Sequence, residues 1–263
     1  MKKHLNNINA SEWTNRTIPM KTSLTLLTCG LALLGAATPA HSESLLLNGN
    51  FESGSMLGWT VADQTGGSGT FSISTPGASV PLSHQPTMSN PSGGSYYAVS
   101  DQSGPGAHAL IQTFTIGSTP ESVTLDFEMF INNWAGAVSV NPAGLDYTAT
   151  PNEFARVDIL SGSAGAFDTG SGVLGSLYLS SDATTPMNGN VFTPYSYDIT
   201  SIVSAPGTYQ LRFAEADNQG NFNAGIDNVG IQFAPASVPE PSTLALVGLG
   251  GLGVLLRFRR RQA

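Results

Sequence analysis

Between Val123 and Ile131 the chain reads VTLDFEMFI, and this stretch constrains the fold more than any other. Val123, Leu125, Phe127, Met129 and Ile131 fall on one side of the alternation, and Thr124, Asp126, Glu128 and Phe130 on the other. Successive side chains of a strand point to opposite faces, so a period of two gives a strand with one buried side. TYQLRFAEA repeats the pattern, with Tyr209, Leu211 and Phe213 set against Gln210 and Arg212. Eight further runs are short and alternating or apolar: SLLLN, TFSIS, YYAVS, ALIQTFTI, FARVDIL, VLGSLYL, YSYDIT and GIDNVGIQF. Gly, Pro, Asn and Ser separate them, and no helical pattern of comparable strength intervenes. The class predicted is all-β: a two-sheet β-sandwich of jelly-roll type over residues 43–235. Two segments rich in Gly, Ser, Pro and Asn, roughly Ala62 to Gly94 around TFSIS and Asn132 to Asn152, read as loops.

Charge limits the partners. Charged residues are 11% of the 263, and the formal net charge is −8. From Glu43 to Val238 only Arg156 and Arg212 are basic, against sixteen acids, a formal charge of −14. Such a body repels nucleic acid and anionic lipid and attracts cations such as calcium. The single cysteine, Cys29, lies in an apolar run ahead of the body, so the body has neither a disulfide nor a thiolate metal ligand.

The two ends read as targeting segments. Residues 1–42 divide into a polar extension and a secretory signal, MKTSLTLLTCGLALLGAATPAHSES, in which Lys21 precedes the apolar Leu24 to Ala37. Cleavage is expected after Ala40 or Ser42, and Met20 is the more natural start of such a signal. At the other end, within residues 236–263, Pro239, Glu240 and Pro241 precede an apolar run from Leu244 to Leu256 and then Arg257, Arg259, Arg260 and Arg261. As a helix that run reaches about 20 Å, short of a hydrocarbon core of about 30 Å. The arginine cluster is expected to stay on the cytoplasmic side. Motif, short span and basic tail in this order resemble the PEP-CTERM sorting domain of Gram-negative bacteria. The resemblance implies transient insertion in the inner membrane through the C-terminal span and processing by an exosortase. It also implies export to the outer surface or the extracellular matrix, in association with exopolysaccharide.

LLLNGNFESGSMLGW near the start of the body, with AGIDNVGIQF near its end, resembles the termini of carbohydrate-binding-module and galactose-binding-like jelly rolls. That resemblance implies first and last strands side by side and a structural calcium between them. Glu52 and Asp227 match the positions that supply carboxylates, with backbone oxygens near Asn50 as further ligands. Both acids also fit ordinary turn positions. DNQGNFN, Asp217 to Asn223, lacks the spacing of an EF-hand loop and reads as a turn.

Catalytic motifs are absent: no Gly-x-Ser-x-Gly elbow, His-Glu-x-x-His pair or phosphate loop occurs. His84 and His108 read as surface residues. Asp126 and Glu128 share a strand face, whereas a glycosidase needs its two acids across a cleft. Aromatic faces suit pyranose rings, and Tyr96, Tyr97, Tyr147, Tyr195 and Trp134 are the candidates, Trp59 being expected in the core. Trp134 stands at a strand end beside Asn132 and Asn133, and the sequence leaves two readings of it open, core packing and ligand contact. The functional expectation is a non-catalytic, exported surface or matrix protein that binds polysaccharide. A secreted hydrolase acting on polysaccharide and a purely structural biofilm-matrix protein are the rival readings.

Overall fold

The computed structural model describes residues 44–86, 93–134, 144–180 and 191–236. The signal segment, Pro239 to Pro241, the apolar span and the arginine cluster lie outside these residues.

Ten strands form: β1 (Thr60–Asp63), β2 (Thr70–Ser74), β3 (Tyr97–Asp101), β4 (Gly106–Ile116), β5 (Pro120–Asn133), β6 (Glu153–Ser161), β7 (Val173–Leu179), β8 (Thr193–Asp198), β9 (Gly207–Asp217) and β10 (Phe222–Pro235). They make two five-stranded sheets, ordered β1-β4-β9-β6-β7 and β2-β3-β10-β5-β8, in which every pairing is antiparallel. The chain passes from one sheet to the other between β1 and β2, at every step from β3 to β6 and at every step from β7 to β10, the crossings of a jelly-roll sandwich. Alternation decides what lies between the sheets. Val123, Leu125, Phe127, Met129 and Ile131 of β5 meet Leu211 and Phe213 of β9 in one buried cluster. Phe127 and Phe213 touch edge to face at 5.1 Å, and Trp59 packs 6.1 Å from Phe213, in the core as its position predicts.

The outer faces depart from the simple pattern. The polar side of β9 predicts an exposed Arg212, yet this residue is fully buried. Residues 162–170 cover it: Arg212 Nη1 donates to Ala166 O at 2.9 Å and to Asp168 O at 2.7 Å, and its Nε donates to Asp158 Oδ2 at 3.1 Å. Arg156 binds the same carboxylate through Nε and Nη2, both at 2.7 Å. Opposite charge and backbone carbonyls together compensate the lost hydration. On the other sheet Tyr97, Val99, Phe130, Val80 and Phe192 form a second apolar layer. Gly225 lies beneath it, where a Cβ would stand 2.0 Å from the Phe130 ring.

SLLLN is not a strand. It lies along β10 through two backbone bonds, Leu45 N to Ile231 O and Val229 N to Gly49 O, both 2.9 Å. The left-handed backbone at Asn48 and Phe51, each at φ 53°, breaks any longer ladder. β1 follows instead from TVAD, a run the sequence pattern does not mark. The Ala62 to Gly94 segment carries the end of β1 and all of β2.

Candidate functional site

Two places concentrate polar chemistry. The first joins the two ends of the body. Glu52, on the turn after Phe51, accepts N–H bonds at Oε1 from Ser95 at 2.8 Å and Tyr96 at 3.1 Å. Gly94, at φ 90°, passes so close that a Cβ there would sit 2.3 Å from Glu52 Oε1. Asp227, on β10, is 1% exposed and accepts the Asn228 N–H at 2.7 Å. Burial pushes the Asp227 carboxyl up to about 7, against the pull of the Asn228 N–H, and Glu128 and Glu52 push it further in the same direction. Glu128 faces Asp227 across the β5–β10 ladder. Asn50, exposed, accepts the Glu52 N–H at Oδ1 at 3.4 Å. The three carboxylates have no lysine or arginine beside them, since the only two among the described residues hold Asp158. The three acids make this end of the body locally negative.

The second place is the end of the sandwich where β3, β6, β9 and β10 meet their loops. Ser103, Gly104, Pro105, Asn218, Gly220 and Asn221 line a cleft of about 140 Å³. Beneath it the core becomes polar: Ser100, Gln102, Asn133, Glu153, Glu215 and Asp217 are all at most 1% exposed. Glu215 and Asp217 continue the inward face of Leu211 and Phe213, and Glu153 pairs with Asp217 across the β6–β9 ladder. Gln102 Nε2 donates to Asp217 Oδ2 at 2.8 Å, and the Gln219 N–H donates to Oδ1 at 2.9 Å. Neither oxygen of Glu153, neither oxygen of Glu215 and not the Gln102 Oε1 receives a well-formed hydrogen bond. Asn133 and Asp217 stand within hydrogen-bonding reach of Glu153, and Ser100 of Glu215. Burial first, and Asp217 second, push Glu153 up to about 8 and Glu215 well above the usual carboxylate range. At neither place are three acidic or imidazole side chains already gathered as a metal cluster.

The predicted aromatic and amide candidates separate by burial. Tyr97 is fully buried, 6.0 Å from Phe130 and 5.3 Å from Phe192, and so belongs to the apolar layer rather than to a surface. Asn132 and Asn133 are 1% exposed, which removes them as surface amides beside Trp134. Trp134 itself is half-buried, outside the three apolar clusters, and its backbone N–H donates to Asn221 O at 2.9 Å on the cleft rim. Tyr147 is half-buried at the same end: Asn218 Nδ2 donates to its carbonyl at 2.6 Å, and its hydroxyl donates to Thr65 O at 3.3 Å. Tyr96 is exposed beside Gly54, near Glu52 and away from the cleft. Tyr195 stacks on Phe127 at 5.1 Å. His108 is buried, not on the surface: Asp63 Oδ1 and Ser68 O take its two ring nitrogens at 2.8 and 2.9 Å. Asp126 and Glu128 line an open concavity with Pro194, Ser196 and Asn228, as neighbours on one strand face rather than across a cleft.

Residues 237–261 match the PEP-CTERM protein-sorting motif. No curated protein matches the chain. Among solved structures the chain is similar to TmCBM61, described in complex with β-1,4-galactotriose, at 12% identity and TM-score 0.45, over 73% of this chain and all of that one. It is also similar to a cyclase from Fischerella sp. TAU, at 15% identity and TM-score 0.44, over 75% of this chain and all of that one. A third is the K3 cleaved adhesin domain of Lys-gingipain from Porphyromonas gingivalis W83, at 20% identity and TM-score 0.39, over 71% and 97% of the two chains. The chain is thus a two-sheet β-sandwich that carries a bacterial surface-sorting motif.

Proposed function

We propose that this chain is exported, processed by an exosortase at its C-terminal motif, and displayed at the outer surface or in the extracellular matrix of a Gram-negative bacterium, where its sandwich binds polysaccharide without catalysis. The observation that carries the reading is the sorting motif, which begins directly behind β10 and the acidic body. An anionic body with two paired arginines suits a neutral glycan rather than nucleic acid. The cleft end supports the ligand class. Its rim offers the Asn221 amide, which can donate to and accept from sugar hydroxyls, and the backbones of Trp134 and Tyr147 are hydrogen-bonded to rim residues, which brings two aromatic residues to this end. Such pairing of apolar ring faces with a few polar groups is how concave sites orient a small ligand. Calcium held by Glu52 and Asp227, with backbone oxygens near Asn50, would tie the ends of a domain that has no cysteine.

Trp134→Ala tests the ligand half of the reading. Affinity electrophoresis of the protein in gels containing the host exopolysaccharide is expected to show most of the retardation lost. Stability is expected to change by about 1 kcal/mol or less, as for a residue outside the core. Unchanged retardation with a loss of about 3–5 kcal/mol would instead make Trp134 a packing residue and contradict the proposed cleft site.

A further inference from the structure

The layer of carboxylates under the cleft has a chemistry of its own. Three acids, Glu153, Glu215 and Asp217, converge from two neighbouring strands onto one side of one sheet. Directly opposed residues of an antiparallel pair hold their Cβ atoms about 5 Å apart, so Glu153 and Asp217 are immediate neighbours. The facing sheet contributes Ser100 and Asn133, and the turn after β3 contributes Gln102. None of the surrounding cations reaches them. Arg156 and Arg212 lie on the opposite face of the same sheet, bound to Asp158. His108, across the ladder from Glu215, spends both ring nitrogens on Asp63 and Ser68. A buried charge without a partner is among the most costly features a fold can carry. Here the cost is compounded: four carboxylate oxygens and the Gln102 amide oxygen are shut away from water without a well-formed hydrogen bond, with Asn133 and Ser100 as the neighbouring polar groups.

We infer that Glu153, Glu215, Asp217 and the Gln102 side-chain oxygen form a second cation site, distinct from the Glu52–Asp227 pair, that takes a hard divalent ion of the calcium type. The donor set is oxygen only, with no thiolate and no free imidazole, which selects calcium over zinc or copper. Asp217 is already oriented by Gln102 and the Gln219 N–H, whereas no well-formed hydrogen bond fixes the Glu153 and Glu215 carboxyls. The cleft of Ser103, Gly104, Pro105, Asn218, Gly220 and Asn221 is built from the residues that follow Gln102 and Asp217 in the chain and so adjoins the layer. Because Asp217 and Gln102 begin the two turns that form the cleft walls, an ion here would also set the shape of the cleft.

The test uses the full-length chain in detergent, stripped with a chelator and titrated with calcium chloride, with bound calcium counted by mass spectrometry and melting followed in parallel. Glu153→Gln and Glu215→Gln are each expected to weaken one calcium site at least tenfold. Without calcium, both variants are expected to melt above the stripped wild type, because a buried glutamine avoids the cost of burying a carboxyl that must take up a proton to stay uncharged. Gln102→Ala keeps all three carboxyls and is expected to weaken the same site, which guards against a glutamate variant that fails to fold. Asp227→Ala is expected to leave this ion in place. Loss of an ion in the glutamine variants and not in Asp227→Ala supports the buried site and sinks the terminal one. Loss only in Asp227→Ala, or no bound calcium in the wild type, overturns the buried site.

Discussion

Asp158→Ala is expected to lower the free energy of unfolding by about 3–5 kcal/mol, the cost of leaving buried cations without their counter-charge. Asp158 is fully buried on β6 and binds Arg156 through two 2.7 Å bonds and Arg212 through Nε at 3.1 Å. Arg212 is itself fully buried, and burial pulls its guanidinium below the ordinary value while Asp158 pulls it back up. Removing the carboxylate strands both guanidinium groups. The loop over β9 should loosen too, since Arg212 Nη1 holds the Ala166 and Asp168 carbonyls. Urea denaturation of the variant beside the wild type measures the loss, and limited proteolysis within residues 162–170 measures the loosening. A loss below about 1 kcal/mol, the scale of an exposed ion pair, would show that water reaches this cluster.

Calcium at a hundredfold its dissociation constant is expected to stabilise the folded chain by about 2.7 kcal/mol for each site it fills, because it binds the folded state and has little affinity for the unfolded one. For the Glu52–Asp227 site the gain reflects geometry: the ion would hold the turn after Phe51 against β10, adding to the two backbone hydrogen bonds that join Leu45 and Gly49 to that strand. Asp227→Ala is expected to abolish that share of the calcium-dependent rise in melting temperature. Glu128 faces Asp227 across the ladder, and Glu128→Gln is expected to weaken the same response. An equal calcium response in wild type and Asp227→Ala would remove the terminal site.

The strands that alternate cleanly are the legible part of this molecule. β5 and β9 follow from their sequence because one face of each is apolar throughout its central residues. SLLLN misleads because an apolar run says nothing of the positive φ at Asn48 and Phe51 that bends it into a turn. Arg212 misleads in another way. Its polar neighbours read as solvent, but coverage by residues 162–170 is a tertiary fact that no local pattern reports. NGNFE and GIDNV single out the terminal acids; Asp227 lies in β10 and Glu52, bound to the Ser95 and Tyr96 N–H groups, is near enough to push the Asp227 carboxyl up. The acids under the cleft are not read from the sequence, although a signal exists. Glu215 and Asp217 occupy the next two inward positions after Leu211 and Phe213, where a strand with one buried side has no reason to place a carboxylate. Tyr97, Asn132 and Asn133 show the converse error, since aromatic and amide residues near strand ends read as a binding surface but pack inside.

The central claim is that the C-terminal motif delivers this sandwich to the cell surface, and the intact mass of the protein recovered from the native host tests it most directly. The wild type is expected at the surface or in the matrix, with a mass that lacks the segment from Leu244 to Arg261. Replacement of Pro239, Glu240 and Pro241 by Ala is expected to leave a longer species in the inner-membrane fraction. Equal masses and equal location for the two proteins would contradict sorting through this motif.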